Sequence, residues 1–374
     1  MQTKNTVGMV SENGYRRRQR AFGEQPAKPA TYYGRPMLKK PTWKWFIPFY
    51  FFLGGVAGGA AFLGALAELF GGTKHRSTVR HARYLTLVLS LICPVLLIVD
   101  LGRPTRFHHM LRVFKGSSPL NVGTWILSGF GLASGALAVR QAAEDDFIVR
   151  RKSNLGRLIR SIPTKPVAAL HGLLGLALGG YTGTLLAATA VPLWQSWGIL
   201  LGPLFLSDAL TTGAAALSFI GAITGRDTVQ AREEIENVDT LGSVAQLGLI
   251  AAREALVPGP INKPLRRGPW ARVYQFGAIG AGLLSPLAVR LALRLGGWRA
   301  GRALSATVSG LSLLGGLAER FSITEAGKAS ALDPVAYQEL TKGTPGEARP
   351  LPEQQAAKAP VVPAKEAGLV TPGM

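Results

Sequence analysis

The sequence predicts an all-α integral membrane protein of about eight transmembrane helices. Three observations carry this. Apolar residues make up 47% of the 374 and charged residues 17%, against about 25% charged in a soluble domain, and mean hydropathy is +0.21. The charge is unevenly placed, collecting between long apolar blocks that are almost free of it. Those blocks do not alternate: Leu85–Val99 runs on continuously, which suits a helix and not a barrel strand of about ten alternating residues. Residues 45–320 hold too much apolar surface for a disordered chain.

The elements follow in order. Residues 1–44 form a basic tail with the cluster Arg16, Arg17, Arg18 and Arg20. A twin-arginine export signal is excluded, because the apolar run starts well downstream and no small-residue cleavage site follows it. Pro36 and Pro41 favour extended chain. Trp43 and Trp45 stand where an aromatic interfacial belt belongs. Apolar segments then span roughly 46–70, 84–101, 122–140, 167–193, 198–224, 238–257, 273–293 and 303–319. A crossing needs about 20 residues, so the sixth and eighth are short. Gly54/Gly58 and Gly55/Gly59 give the first helix two small faces for close packing. The membrane domain is expected over 45–325, and residues 326–374, rich in Pro and Ala, as a disordered tail.

With eight spans both termini lie on one face, A, with the 2–3, 4–5 and 6–7 connections. Face B holds the others. Lys and Arg are denser in the B loops, among them Arg150, Arg151, Lys152, Arg157 and Arg160, whereas the basic N-terminal tail weighs for A. Read from the loops, face B is cytoplasmic and the chain a multi-pass protein of the cell (inner) membrane. The charge of +21 then marks loops and tails that meet anionic lipid headgroups, not nucleic acid.

Several chemistries are excluded. Cys93 is the single cysteine, too few for a disulfide scaffold or for an iron–sulfur cluster with about four ligands. There is no C-x-x-C-H for covalent haem. His171 is the one histidine well inside a span, so paired axial ligation of haem b is unavailable. His108 and His109 lack a nearby third ligand for a metal. No P-loop, Rossmann glycine pattern, Ser-His-Asp set or zinc spacing occurs. The chain is expected to bind no haem, iron–sulfur cluster or metal.

Ionisable groups inside spans are functional candidates: Glu68, Asp100, His171, Asp208 and Glu254, with the phenol of Tyr181. Tyr181 and Asp208 are about equally far from the centre of the hairpin near residue 194, so they share a depth on neighbouring helices at about 1.5 Å per residue. Such a pair suits hydrogen bonding to a quinone carbonyl or passage of a proton. The alternative is that Asp208 bonds a backbone group or Ser207. Asp100 and Glu254 fall near face A, Glu68 and His171 near face B. They form either a proton relay or four separate interfacial residues that snorkel to water, and Arg253 beside Glu254 favours an ion pair there. After helix two, Gly102 and Pro104 set a turn and Asp100 can pair with Arg103 or Arg106. Phe107, Met110, Leu111 and Phe114 pattern an amphipathic helix for the surface or for a partner.

Asp-Leu-Gly-Arg-Pro at 100–104, Phe-His-His-Met-Leu-Arg-Val-Phe at 107–114 and Ser-Pro-Leu-Asn-Val-Gly-Thr-Trp at 118–125 resemble the NrfD/polysulfide reductase membrane-subunit family. Tyr-Phe-Phe-Leu-Gly-Gly-Val-Ala-Gly-Gly from Tyr50, Gly-Tyr-Thr-Gly-Thr-Leu-Leu at 180–186 and Val-Pro-Leu-Trp at 191–194 are similar to its first and fourth helices. Residues 320–334 resemble the end of its actinobacterial-type branch. The likeness covers about 31–335. It implies two four-helix bundles and a quinone site in the first, near the docking face of a four-cluster ferredoxin-like iron–sulfur subunit, with a molybdenum- or tungsten-pterin catalytic subunit beyond. The family's quinone-site tyrosine carries over to Tyr181. Where some members place Asn and His at the start of helix one, this chain has Trp43, Lys44, Trp45 and Tyr50. Ala187 and Ala188 stand where a polar residue is frequent.

Together these give an expected membrane subunit without a catalytic centre of its own, exchanging electrons between quinone or menaquinone and the iron–sulfur partner. Tyr181, Asp208, Asp100, Arg103 and Tyr50 are its candidate cofactor contacts, and Glu68, His171 and Glu254 its candidate proton carriers. The complex is expected to be of formate dehydrogenase type first, then polysulfide, thiosulfate or nitrite reductase type. The alternatives are a passive anchor and a secondary transporter, the latter requiring broken helices and matched halves.

Overall fold

The structure is a computed structural model describing residues 36–147, 153–257 and 259–341. The arginine cluster at 16–20, the basic residues 150–152 and the chain after 341 lie outside them. Among the described residues there are eight long helices and no strand: α1 Phe46–Phe70, α2 Arg76–Asp100, α3 Pro119–Glu144, α4 Thr164–Ala187, α5 Leu201–Thr224, α6 Val229–Leu256, α7 Pro269–Leu295 and α8 Arg302–Ser330. Within α7 the residues Val273–Leu284 form a π-helix. Helices α1 to α4 pack around one bundle and α5 to α8 around a second.

Helix α1 is the seam. Its two glycine faces serve the two bundles separately. A Cβ at Gly58 would fall on the backbone of Gly175 in α4, and one at Gly59 on the backbone of Ala209 and Gly213 in α5. Bare backbones can therefore approach in the absence of a hydrophobic driving force within lipid.

Helices α1 to α5 and α7 are long and apolar enough to cross a membrane. Helices α6 and α8 are as long, at 28 and 29 residues, but bury charge: Arg232, Asp239 and Arg253 in one, Glu319, Arg320 and Lys328 in the other. Several helices are longer than their apolar segments. Helix α2 starts at Arg76, not 84, and α8 continues to Ser330, because charged residues turned inward and paired remain helical. Conversely α4 ends at Ala187. The apolar stretch to 193 breaks there, and Pro192 opens a separate short helix, Pro192–Trp197. The stretch assigned to a tail from 326 is helical through Ser330, and a further helix covers Pro334–Thr341.

The face-A end is tied together by tryptophan. Trp194 is fully buried and its indole N–H donates to the Ile323 carbonyl at 2.8 Å. Gly327 leaves the room, since a Cβ there would enter the indole. Trp43 stacks on Trp194 with ring centroids 5.5 Å apart, and Lys328 Nζ donates to the Trp43 carbonyl at 2.6 Å. Trp45 is 56% exposed.

Candidate functional site

At the face-A end of the first bundle lies a cavity of about 570 Å³, within the ~300–1,000 Å³ common for ligand sites. Its walls are apolar residues of all four helices, such as Ile47, Leu97, Leu127 and Leu185. Trp43 and the loop residues Phe107, Met110 and Leu111 close one side. The few polar groups that reach it are Tyr50, Tyr181, Asp100, Ser90, Thr124 and Ser128. Pro94 also lines it. Having no N–H, Pro94 leaves the Ser90 carbonyl without its helical donor.

Tyr181 is placed by an absence. A Cβ at Gly123 of α3 would overlap its phenol, so glycine there is what lets the ring cross from α4. Tyr50 is 3% exposed and packs by Gly54 and Phe51. Neither phenol has a protein hydrogen-bond partner among the described residues. Asp100 is half-buried and accepts from the Lys44 backbone N–H at 3.2 Å. This replaces the expected pairing with Arg103 or Arg106. Both arginines are exposed on the loop, and Arg103 is not part of the lining. The amphipathic segment is a 3-10 helix, Pro104–Leu111, with no buried residue, and it leaves Phe107 and Phe114 exposed.

Asp208 is elsewhere. It sits at Tyr181's depth, since Gly179 packs on Ala209, but faces the second bundle. Its Oδ2 accepts from Arg320 Nη2 at 2.6 Å and Nε at 2.8 Å. Arg320 also donates to the Phe205 carbonyl at 2.8 Å and lies over the Phe205 ring. Beside them Gln246 donates to Glu319. Asp208 is thus neither a partner of Tyr181 nor bonded to Ser207. An ion pair takes its oxygen.

Glu68 and His171 do come together, with Arg83. They line a void of about 10 Å³, about the volume for one water. Arg83 Nη2 pairs with Glu68 at 3.1 Å and Nη1 donates to Gln141 at 2.8 Å. His171 packs at a tilt on the Phe130 ring, and its Nε2 is buried without a hydrogen-bond partner among the described residues. Glu254 belongs to neither group. It pairs with Arg253 at 3.0 Å and Arg266 at 2.5 Å, the ion-pair alternative, so the four groups do not form one array.

Several residues escaped the sequence reading. Arg83, Asp239, Arg290, Glu319 and Arg320 are buried charges, and their charge in apolar surroundings was the available signal. Gly123 had none without knowledge of what faces it. Among the described residues no three His, Cys, Asp or Glu gather as a metal site would need.

An apolar cavity holding two uncommitted phenols fits a flat, carbonyl-bearing lipophilic cofactor. No curated protein matches the chain. The family described as Polysulphide reductase, NrfD matches residues 36–331, which include every helix that builds the cavity. The chain belongs to the NrfD family, membrane subunits of quinone-interacting oxidoreductase complexes.

Proposed function

We propose that this chain exchanges electrons between the membrane quinone pool, menaquinone in particular, and a four-cluster ferredoxin-like iron–sulfur subunit on face A. A molybdenum- or tungsten-pterin subunit, of formate dehydrogenase type first, completes the complex. The observation that carries this is the face-A cavity with its two unpartnered phenols. A bound quinone supplies two-electron, two-proton chemistry at its carbonyl oxygens. Tyr181 donates a hydrogen bond from its phenol into the cavity, and Tyr50 is a second donor. Asp100, half-buried at the mouth, holds and releases a proton between cavity and solvent. Leu97, Leu127 and Leu185 exclude water. Asp208 and Arg320 hold the second bundle and take no part in proton exchange at the cavity. The loop 101–118 beside the cavity offers Phe107 and Phe114 to the iron–sulfur partner.

A passive anchor has no use for such a cavity, and one experiment separates the two readings. In the purified complex, substrate-driven reduction of a menaquinone analogue is compared between wild type and Tyr181→Phe. A roughly two- to twelvefold fall in quinone turnover with dye reduction intact is expected. Unchanged quinone turnover would leave the anchor reading standing.

A further inference from the structure

We infer that the face-B end of the first bundle binds the phosphate headgroup of an anionic phospholipid. A basin of about 820 Å³ opens there between the ends of α1, α2 and α3, at the opposite end of the bundle from the phenol-lined cavity. Six arginines line it, Arg76, Arg80, Arg83, Arg140, Arg160 and Arg226, against the three carboxylates Glu68, Glu144 and Asp145. Those carboxylates are already engaged. Arg80 pairs with Asp145 at 3.0 Å, Arg83 with Glu68 at 3.1 Å and Arg140 with Glu144 at 2.7 Å. Arg160 turns to Asp146 at 3.2 Å and to the Ala143 carbonyl at 2.5 Å.

Positive charge is left over. Arg76 and Arg226 have no ion-pair partner among the described residues, and Arg140 Nε is buried without a hydrogen-bond acceptor. Helix α2 adds to the excess. Arg76, Arg80 and Arg83 share one face of its opening turns, at the end where the helix is itself positive. That end has no acidic residue in its first turn and no side-chain cap. An anion in the basin meets this excess positive charge, and a phosphodiester matches the planar guanidinium fork. The rim distinguishes a lipid from free phosphate. Phe70, Phe147 and Leu158 are 80%, 70% and 68% exposed, each within two residues of a basin residue, so apolar surface for acyl chains borders the cationic pocket. Basic pockets between membrane helices favour anionic headgroups.

The test uses the purified complex in nanodiscs of phosphatidylcholine containing a minor share of phosphatidylglycerol, followed by detergent extraction and native mass spectrometry. Wild type is expected to retain phosphatidylglycerol in preference to phosphatidylcholine. Arg76→Gln/Arg226→Gln is expected to retain roughly tenfold less with quinone turnover unchanged. Equal retention by wild type and variant, or no preference between the two lipids, would overturn the assignment. Displacement by excess inorganic phosphate would assign the pocket to free phosphate and overturn the lipid. Arg226→Gln alone, in the loop between α5 and α6, serves if the double variant does not fold.

Discussion

Tyr181 and Gly123 act as one unit at the residue scale, because the glycine's missing Cβ is the space the phenol occupies. A neutral hydrogen bond contributes about 0.5–1.5 kcal/mol, so Tyr181→Phe should weaken quinone use roughly two- to twelvefold by steady-state assay. Gly123→Ala should do at least as much by displacing an intact tyrosine, and Gly123→Ala with Tyr181→Phe should cost little more than either alone. Asp208 makes the opposite prediction. Asp208→Asn leaves the buried Arg320 without its counter-charge, a loss of about 3–5 kcal/mol. It should lower thermal stability in detergent while quinone affinity of the surviving folded complex stays near wild type. Tyr181 was legible in the sequence because a phenol inside a span stands out. The partner of Asp208 was not, since Arg320 lies 112 residues away, beyond the end assigned to the eighth apolar segment.

Glycine spacing decides packing at the scale of elements. Gly59→Ala would drive a methyl into the backbone of α5, and overpacking of this kind costs about 1–3 kcal/mol. Folded yield from membranes should fall accordingly. Gly135→Ala on α3 meets nothing within 4 Å and should be neutral or slightly stabilising, since glycine in a helix costs about 0.5–1 kcal/mol relative to alanine. Size-exclusion recovery of the two variants side by side checks both. The all-α class and the succession of long apolar helices were readable from apolar blocks. Their ends were not, because hydropathy is blind to charges that pair inward. Arg83 on Glu68, Arg232 on Asp227 and Arg320 on Asp208 let α2, α6 and α8 extend past their apolar segments. The two small faces of the first helix were visible in sequence, but not that each serves a different bundle.

The whole molecule has two unlike ends. Face A carries the apolar cavity beside the 101–118 loop, and face B carries the arginine basin. The second bundle holds buried ion pairs along its interior, Asp239 with Arg290 at 2.5 Å and Asp208 with Arg320. On the proposed function the iron–sulfur partner approaches the cavity from face A, so Phe107→Asp with Phe114→Asp, both exposed, should reduce its co-purification without unfolding this chain. Photolabelling of the intact complex with an azido-menaquinone, followed by peptide mapping, locates the quinone. Label on α1, α2, α3, α4 or the 101–118 loop, suppressed by excess menaquinone, is expected. Competed label confined to α5–α8 would put the quinone in the second bundle and overturn the role given to Tyr181.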